Sequence, residues 1–102
     1  MTFSELIHQN KPVLIDFYAD WCRPCKMMAP ILEDVKSELG EKITVVKINV
    51  DKNSAAATKF QVRGVPTLIL LQSGKLLYRQ SGVVGKEDLL GIINSRSEKE
   101  KV

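Results

Sequence analysis

The chain has 102 residues, of which 44% are apolar and 26% charged, and its formal net charge is +3. That length suits one domain, residues 1–102, which can bury about two-thirds of its unfolded surface without disulfide staples. The totals exclude a disordered chain, and no basic stripe with interleaved aromatics points to nucleic acid. No run approaches the roughly 18 apolar residues of a membrane span, so no membrane association is expected. The opening "MTFSELIHQNKP" lacks a basic segment followed by a long apolar one, which favours the cytoplasm. An extracytoplasmic site stays open if a signal was removed.

Residues 2–9 set Phe3, Leu6 and Ile7 on one helical face. Pro12 breaks that pattern. "PVLIDFY" (12–18) reads as a strand, apolar on both faces apart from Asp16, and so covered on two sides. After the cysteine segment, Ile31, Leu32, Val35 and Leu39 recur at helical spacing, and Gly40 suits the helix end. Pro30 falls inside this helix, where a kink is expected. "KITVVKINV" (42–50) is the second strand, and a short helix over 54–60 is capped by Asn53 or Ser54. Strands over 64–72 and 75–81 flank Ser73-Gly74, a hairpin signal. A last helix over 86–95 turns Leu89, Leu90, Ile92 and Ile93 inward, and residues 95–102 read as a frayed polar tail. The order is α-β-α-β-α-β-β-α, an α/β chain with a parallel βαβ unit first and an antiparallel edge last.

Both cysteines of the chain lie in "WCRPCKMMAP", at Cys22 and Cys25. A closed zinc site needs four ligands, and one pair with the lone His8 supplies too few, so no metal site is expected. A structural disulfide would close the shortest useful loop and restrain little. A redox dithiol gives the spacing a reason. If a helix starts near Cys22, its sulfur meets unpaired N–H groups and the positive end of the helix dipole, which favours thiolate. Cys25, one turn in and more buried, would then resolve the mixed disulfide that Cys22 forms. Pro24 suits the first turn, where its missing N–H costs nothing.

The segments "DFYADWCRPCKMMAP", "KINVD", "VRGVPTL" and a glycine in "SGVVGK" resemble the thioredoxin family in order and spacing. The resemblance covers roughly residues 3–95. It implies a thioredoxin-like fold, a mixed central sheet flanked by helices. It also implies a protein-disulfide reductase with no bound cofactor, fed electrons from NADPH through thioredoxin reductase. Protein disulfides and that reductase are the implied partners, and a monomer is expected.

The supporting residues carry plainer readings too. Asp16 is a hydrogen-bonded core acid or a general base for the Cys25 proton, since an unpartnered buried carboxylate tends to take up a proton. Lys47 is a solvent-facing strand end or the neighbour of Asp16 across two parallel strands. Pro66 is a strand-start proline; the resemblance implies a cis bond, packed against the cysteines, with the Val65 backbone free for an extended substrate. Trp21 is a core aromatic or a lid beside the thiols. Gly64 and Gly82 are turn glycines or, as the resemblance implies, part of a flat docking rim. Met27 and Met28 read as helix packing.

Three features depart from the family pattern. Arg23 replaces glycine between the cysteines, and its charge would favour thiolate, raise the reduction potential and alter partner choice, unless water screens it. Tyr18 replaces a tryptophan. No room exists for the family's first strand, so four strands are expected. Competing functions are a disulfide oxidase or isomerase of an oxidising compartment, and a binding module whose redox chemistry is incidental.

Overall fold

The computed structural model describes residues 2–98. Its elements are α1 (Phe3–Ile7), β1 (Val13–Tyr18), α2 (Arg23–Leu39), a 3-10 turn (Gly40–Lys42), β2 (Thr44–Asn49), α3 (Ser54–Lys59), β3 (Thr67–Gln72), β4 (Lys75–Ser81) and α4 (Lys86–Arg96). The sheet order is β2-β1-β3-β4, with β1 parallel to β2 and antiparallel to β3. Four strands and flanking helices match the sequence-based expectation.

β1 is apolar on both faces because it is central and covered on both. Val13, Ile15 and Phe17 pack with Ile7, Ile48, Ile69 and Leu71, and α1 and α3 add Phe3, Ala56 and Phe60. Leu14 faces the other way, onto Met28, Leu32 and Val35 of α2 and Leu89 and Ile93 of α4. Each of these side chains removes apolar area worth about 1.5–3 kcal/mol from water. Alternation places Asp16 on the α2 face with Leu14. Since α2 returns over β1, the C-terminal half of β1 lies under the start of α2.

The ends of the elements partly refine and partly match the sequence reading. β3 begins at Thr67, because Gly64–Pro66 form a bend and Pro66 has no N–H for the ladder. Asn53 is the α3 N-cap, but its side chain donates back to the Asn49 carbonyl at 3.1 Å. Gly85 caps α4 without a side-chain bond. α2 continues through Pro30, whose missing N–H leaves the Lys26 carbonyl without its helical donor. Ser73 and Gly74 take φ of 52° and 79°, the left-handed values of a tight hairpin.

The expected fraying at 95–102 is not what residues 95–98 show. Ser95 and Arg96 close α4, and the Glu98 N–H donates to Gln72 Oε1 at 2.7 Å. Gln72 Nε2 donates to the carbonyls of Asn10 and Glu98. A buried amide at the end of β3 thus finds its partners in both terminal segments. Residues 99–102 lie outside the described residues.

Candidate active site

The chain leaves β1 at Tyr18, turns through Asp20 and Trp21, and enters α2 with Cys22 as N-cap. The Cys22 N–H donates to the Ala19 carbonyl at 3.2 Å, which closes the turn. Arg23 and Pro24 occupy the first helical positions, where Pro24 costs no hydrogen bond. The Cys25 N–H donates to Cys22 Sγ at 3.2 Å, so the sulfur does the work of a capping oxygen. The two cysteines are joined as a disulfide with Cα atoms 5.3 Å apart. Cys25 is not the more buried of the two: Cys22 is 3% exposed and Cys25 5%. Both cysteines lie in one buried cluster with Ala19, against Tyr18, Val50 and Val65.

Val65 reaches this cluster from the bend before β3. The Val65–Pro66 bond is cis, and Pro66 is buried. Val65 packs its side chain on the cysteine cluster. Among the described residues the Val65 N–H and C=O form no hydrogen bond. Thr67 Oγ1 donates to the Gly64 carbonyl at 2.7 Å, and the Gly82 N–H to the Pro66 carbonyl at 2.9 Å. These two bonds tie the bend on either side of Val65 and leave its own N–H and C=O unpaired. Gly82 needs its left-handed φ of 96° to make that bond.

Asp16 is fully buried, and neither carboxylate oxygen has a hydrogen-bond partner. Burial pushes its carboxyl up from 3.8 to about 6, while the Lys47 ammonium pulls the other way. The plainer reading, an acid satisfied by hydrogen bonds, does not hold. Lys47 pairs with Asp16 across β1 and β2, yet its side chain reaches water, with Nζ 5.4 Å from the Tyr18 ring centroid. Both readings of Lys47 are therefore partly met. Lys47, Lys26 and Asp20 line a hollow of about 150 Å³ that reaches Cys25.

Trp21 is no core aromatic: it is 71% exposed. Its indole Nε1 donates to Asp51 Oδ2 at 2.9 Å, which pins the ring beside the cysteine turn. Asp51 was not singled out from sequence, although "KINVD" carries it. Its own backbone N–H is held by Asn49 Oδ1 at 2.9 Å just after β2. Met28 is buried, but Met27 points outward at 59% exposure. Arg23 is exposed and makes no hydrogen bond, ion pair or ring contact among the described residues. Among those residues no three His, Cys, Asp or Glu side chains gather as a metal site. No helix among them is long and apolar enough to cross a membrane.

The whole arrangement, from residue 1 to 95, matches the family model described as Thioredoxin. The chain belongs to the thioredoxin family. It is 40% identical over 93 residues to the thioredoxin of Acidithiobacillus ferridurans, covering 91% of this chain and 86% of that one. It is 49% identical over 88 residues to the bifunctional thioredoxin reductase/thioredoxin of Mycobacterium leprae, covering 86% of this chain but only 19% of that longer protein. The solved structure of thioredoxin-2, described as a component of malaria parasite protein secretion machinery, has a TM-score of 0.82 at 32% identity, covering 84% of each chain. Membership of the thioredoxin family together with the Cys22–Cys25 disulfide supports a thiol–disulfide oxidoreductase.

Proposed function

We propose that this chain reduces protein disulfides by dithiol–disulfide exchange, with Cys22 attacking and Cys25 resolving. The observation that carries this reading is the Cys22 sulfur at the α2 N-cap, already accepting the Cys25 N–H. The same N–H groups favour the thiolate once the disulfide is opened. In the first step the Cys22 thiolate attacks one sulfur of the substrate disulfide, and the other sulfur leaves as a thiolate. In the second, Cys25 gives up its proton, attacks Cys22 Sγ and releases the second substrate thiol. The disulfide described above is the product. Asp16, ionised above about pH 6, is the base proposed for the Cys25 proton.

The free Val65 N–H and C=O suit an extended substrate segment laid beside the cysteines. Trp21, Gly64 and Gly82 frame that groove. Recycling is assigned to an NADPH-linked thioredoxin reductase. The name of the Mycobacterium leprae relative joins those two activities in one chain. Every group the exchange uses comes from one chain, so a monomer with no cofactor of its own suffices, and we place it in the cytoplasm, where such a reductant operates.

With NADPH and a thioredoxin reductase, the protein is expected to reduce insulin disulfides catalytically. Absence of turnover even after chemical reduction with dithiothreitol would sink the reading. Arg23 enters as a tuning group at the first helical position. In a glutathione equilibrium, Arg23→Gly should shift the constant about two- to threefold toward the disulfide, the size expected of one solvated charge. An unchanged constant would mean that water screens the guanidinium.

A further inference from the structure

The four arginines of the chain fall into two pairs. Arg79 donates to the carbonyls of Phe60 and Gln61, the latter at 2.7 Å. Arg96 donates to the Leu77 carbonyl at 3.2 Å and lies over the Tyr78 ring at 5.6 Å. These two serve the fold. Arg23 and Arg63 are exposed, and among the described residues neither makes a hydrogen bond, an ion pair or a ring contact.

The chain sets both free arginines close in sequence to the groups proposed to attack and to hold the substrate. Arg23 follows Cys22 directly, and Arg63 stands two residues before Val65, which packs on the cysteine cluster. A substrate strand laid on the Val65 backbone advances about 3.3 Å per residue, so it passes Arg63 two or three residues from its own cysteine. The nearby acids do not cancel this charge. Asp20 shares its hollow with the ammonium groups of Lys26 and Lys47, and Asp51, which keeps its charge while accepting from the neutral Trp21 indole, is one carboxylate against two guanidinium groups. A guanidinium matches a carboxylate with two parallel hydrogen bonds, which a lone ammonium cannot do.

We propose that Arg23 and Arg63 make this rim select disulfides flanked by acidic residues. The inference rests on the protein-disulfide reductase reading above. Its contribution lies chiefly in the rate of encounter, because rim charges steer association and are screened by salt.

The test uses three otherwise identical disulfide-bonded peptides with Glu, Ser or Lys flanks. The reduced full chain is mixed with each, and the second-order rate constant is read from the fluorescence of Trp21, the chain's one tryptophan. The Glu peptide is expected to react about tenfold faster than the Lys peptide in dilute buffer, with the Ser peptide between. In 0.5 M salt that ratio should shrink to about twofold. Arg23→Glu and Arg63→Glu should each lower the Glu-to-Lys ratio about three- to fivefold. The ratio is the readout because any effect of Arg23 on the thiol itself cancels in it, and because Arg63 is remote in sequence from the thiols. A wild-type ratio near one, or a ratio that both variants leave within twofold, overturns the inference while the reductase reading stands. If no peptide reacts faster than with dithiothreitol alone, that reading fails and the inference falls with it.

Discussion

At pH 7.5 the Asp16→Asn protein is expected to melt about 10 °C above the wild type and to reduce disulfides about tenfold more slowly. Both effects follow from one buried carboxylate with two unpartnered oxygens. Burial holds its carboxyl at about 6, against 3.8 for the ordinary side chain, even though Lys47 pulls it down. Below pH 3.8 Asp16 is protonated in the folded and unfolded chain alike, so the substitution should change stability little. Between 3.8 and about 6 the unfolded chain releases the proton while the folded one keeps it, so folding stability falls as pH rises. Above about 6 the ionised group is buried at full cost, about 2–3 kcal/mol. Asn has nearly the same shape and no charge, so it recovers most of that cost. In a domain of this size each kcal/mol moves Tm by about 4–8 °C.

The kinetic half has a signature that a merely structural role would lack. Wild-type turnover should rise with pH through an inflection near 6, where Asp16 becomes able to take the Cys25 proton. In Asp16→Asn that inflection should vanish, while alkylation of Cys22 persists. A Tm that stays level or falls at pH 7.5 would show that the ionised carboxylate carries no such penalty. An inflection that survives the substitution would assign the proton to another group.

Local rules carried the sequence reading a long way at this site. Asp16 stood out because a period-2 strand puts it on the same face as Leu14, and that face proved to lie under α2. Cys22 was legible as a helix start because Pro24 can follow only where a helix has no use for its N–H. What local rules missed was set by contacts far apart in sequence. Trp21 read as a possible core residue until Asp51, thirty positions on, was found to hold its indole at the surface. Glu98 read as fraying tail because nothing near it shows that buried Gln72 needs its backbone. Met27 and Met28 look alike in sequence, and one step of helical rotation separates an exposed side chain from a fully buried one. The order of burial of the two cysteines failed for a different reason. Both cysteines share one buried cluster in the disulfide state, and no spacing rule describes a bonded pair.

That equal burial makes the division of labour between the thiols the sharpest remaining question, and two single substitutions answer it. Cys25→Ser is expected to accumulate a covalent complex with a substrate protein, visible without reductant and released by dithiothreitol. Cys22→Ser should form no such complex and show no turnover above background. Exposure does not separate the two residues in the disulfide, at 3% against 5%. The helix does distinguish them. Cys22 Sγ lies at the N-cap and accepts a backbone N–H, whereas Cys25 supplies that N–H from within the first turn. Opening the disulfide is therefore expected to leave the more stabilised thiolate at Cys22, the sulfur proposed to attack. Cys25 lies with its Cα 5.3 Å away, in position to strike the mixed disulfide from inside. Removing its sulfur stops the reaction after the first bond has formed. The opposite pattern, trapping by Cys22→Ser and none by Cys25→Ser, would place the attacking thiol one helical turn deeper. The capping geometry would then have no bearing on which sulfur reacts.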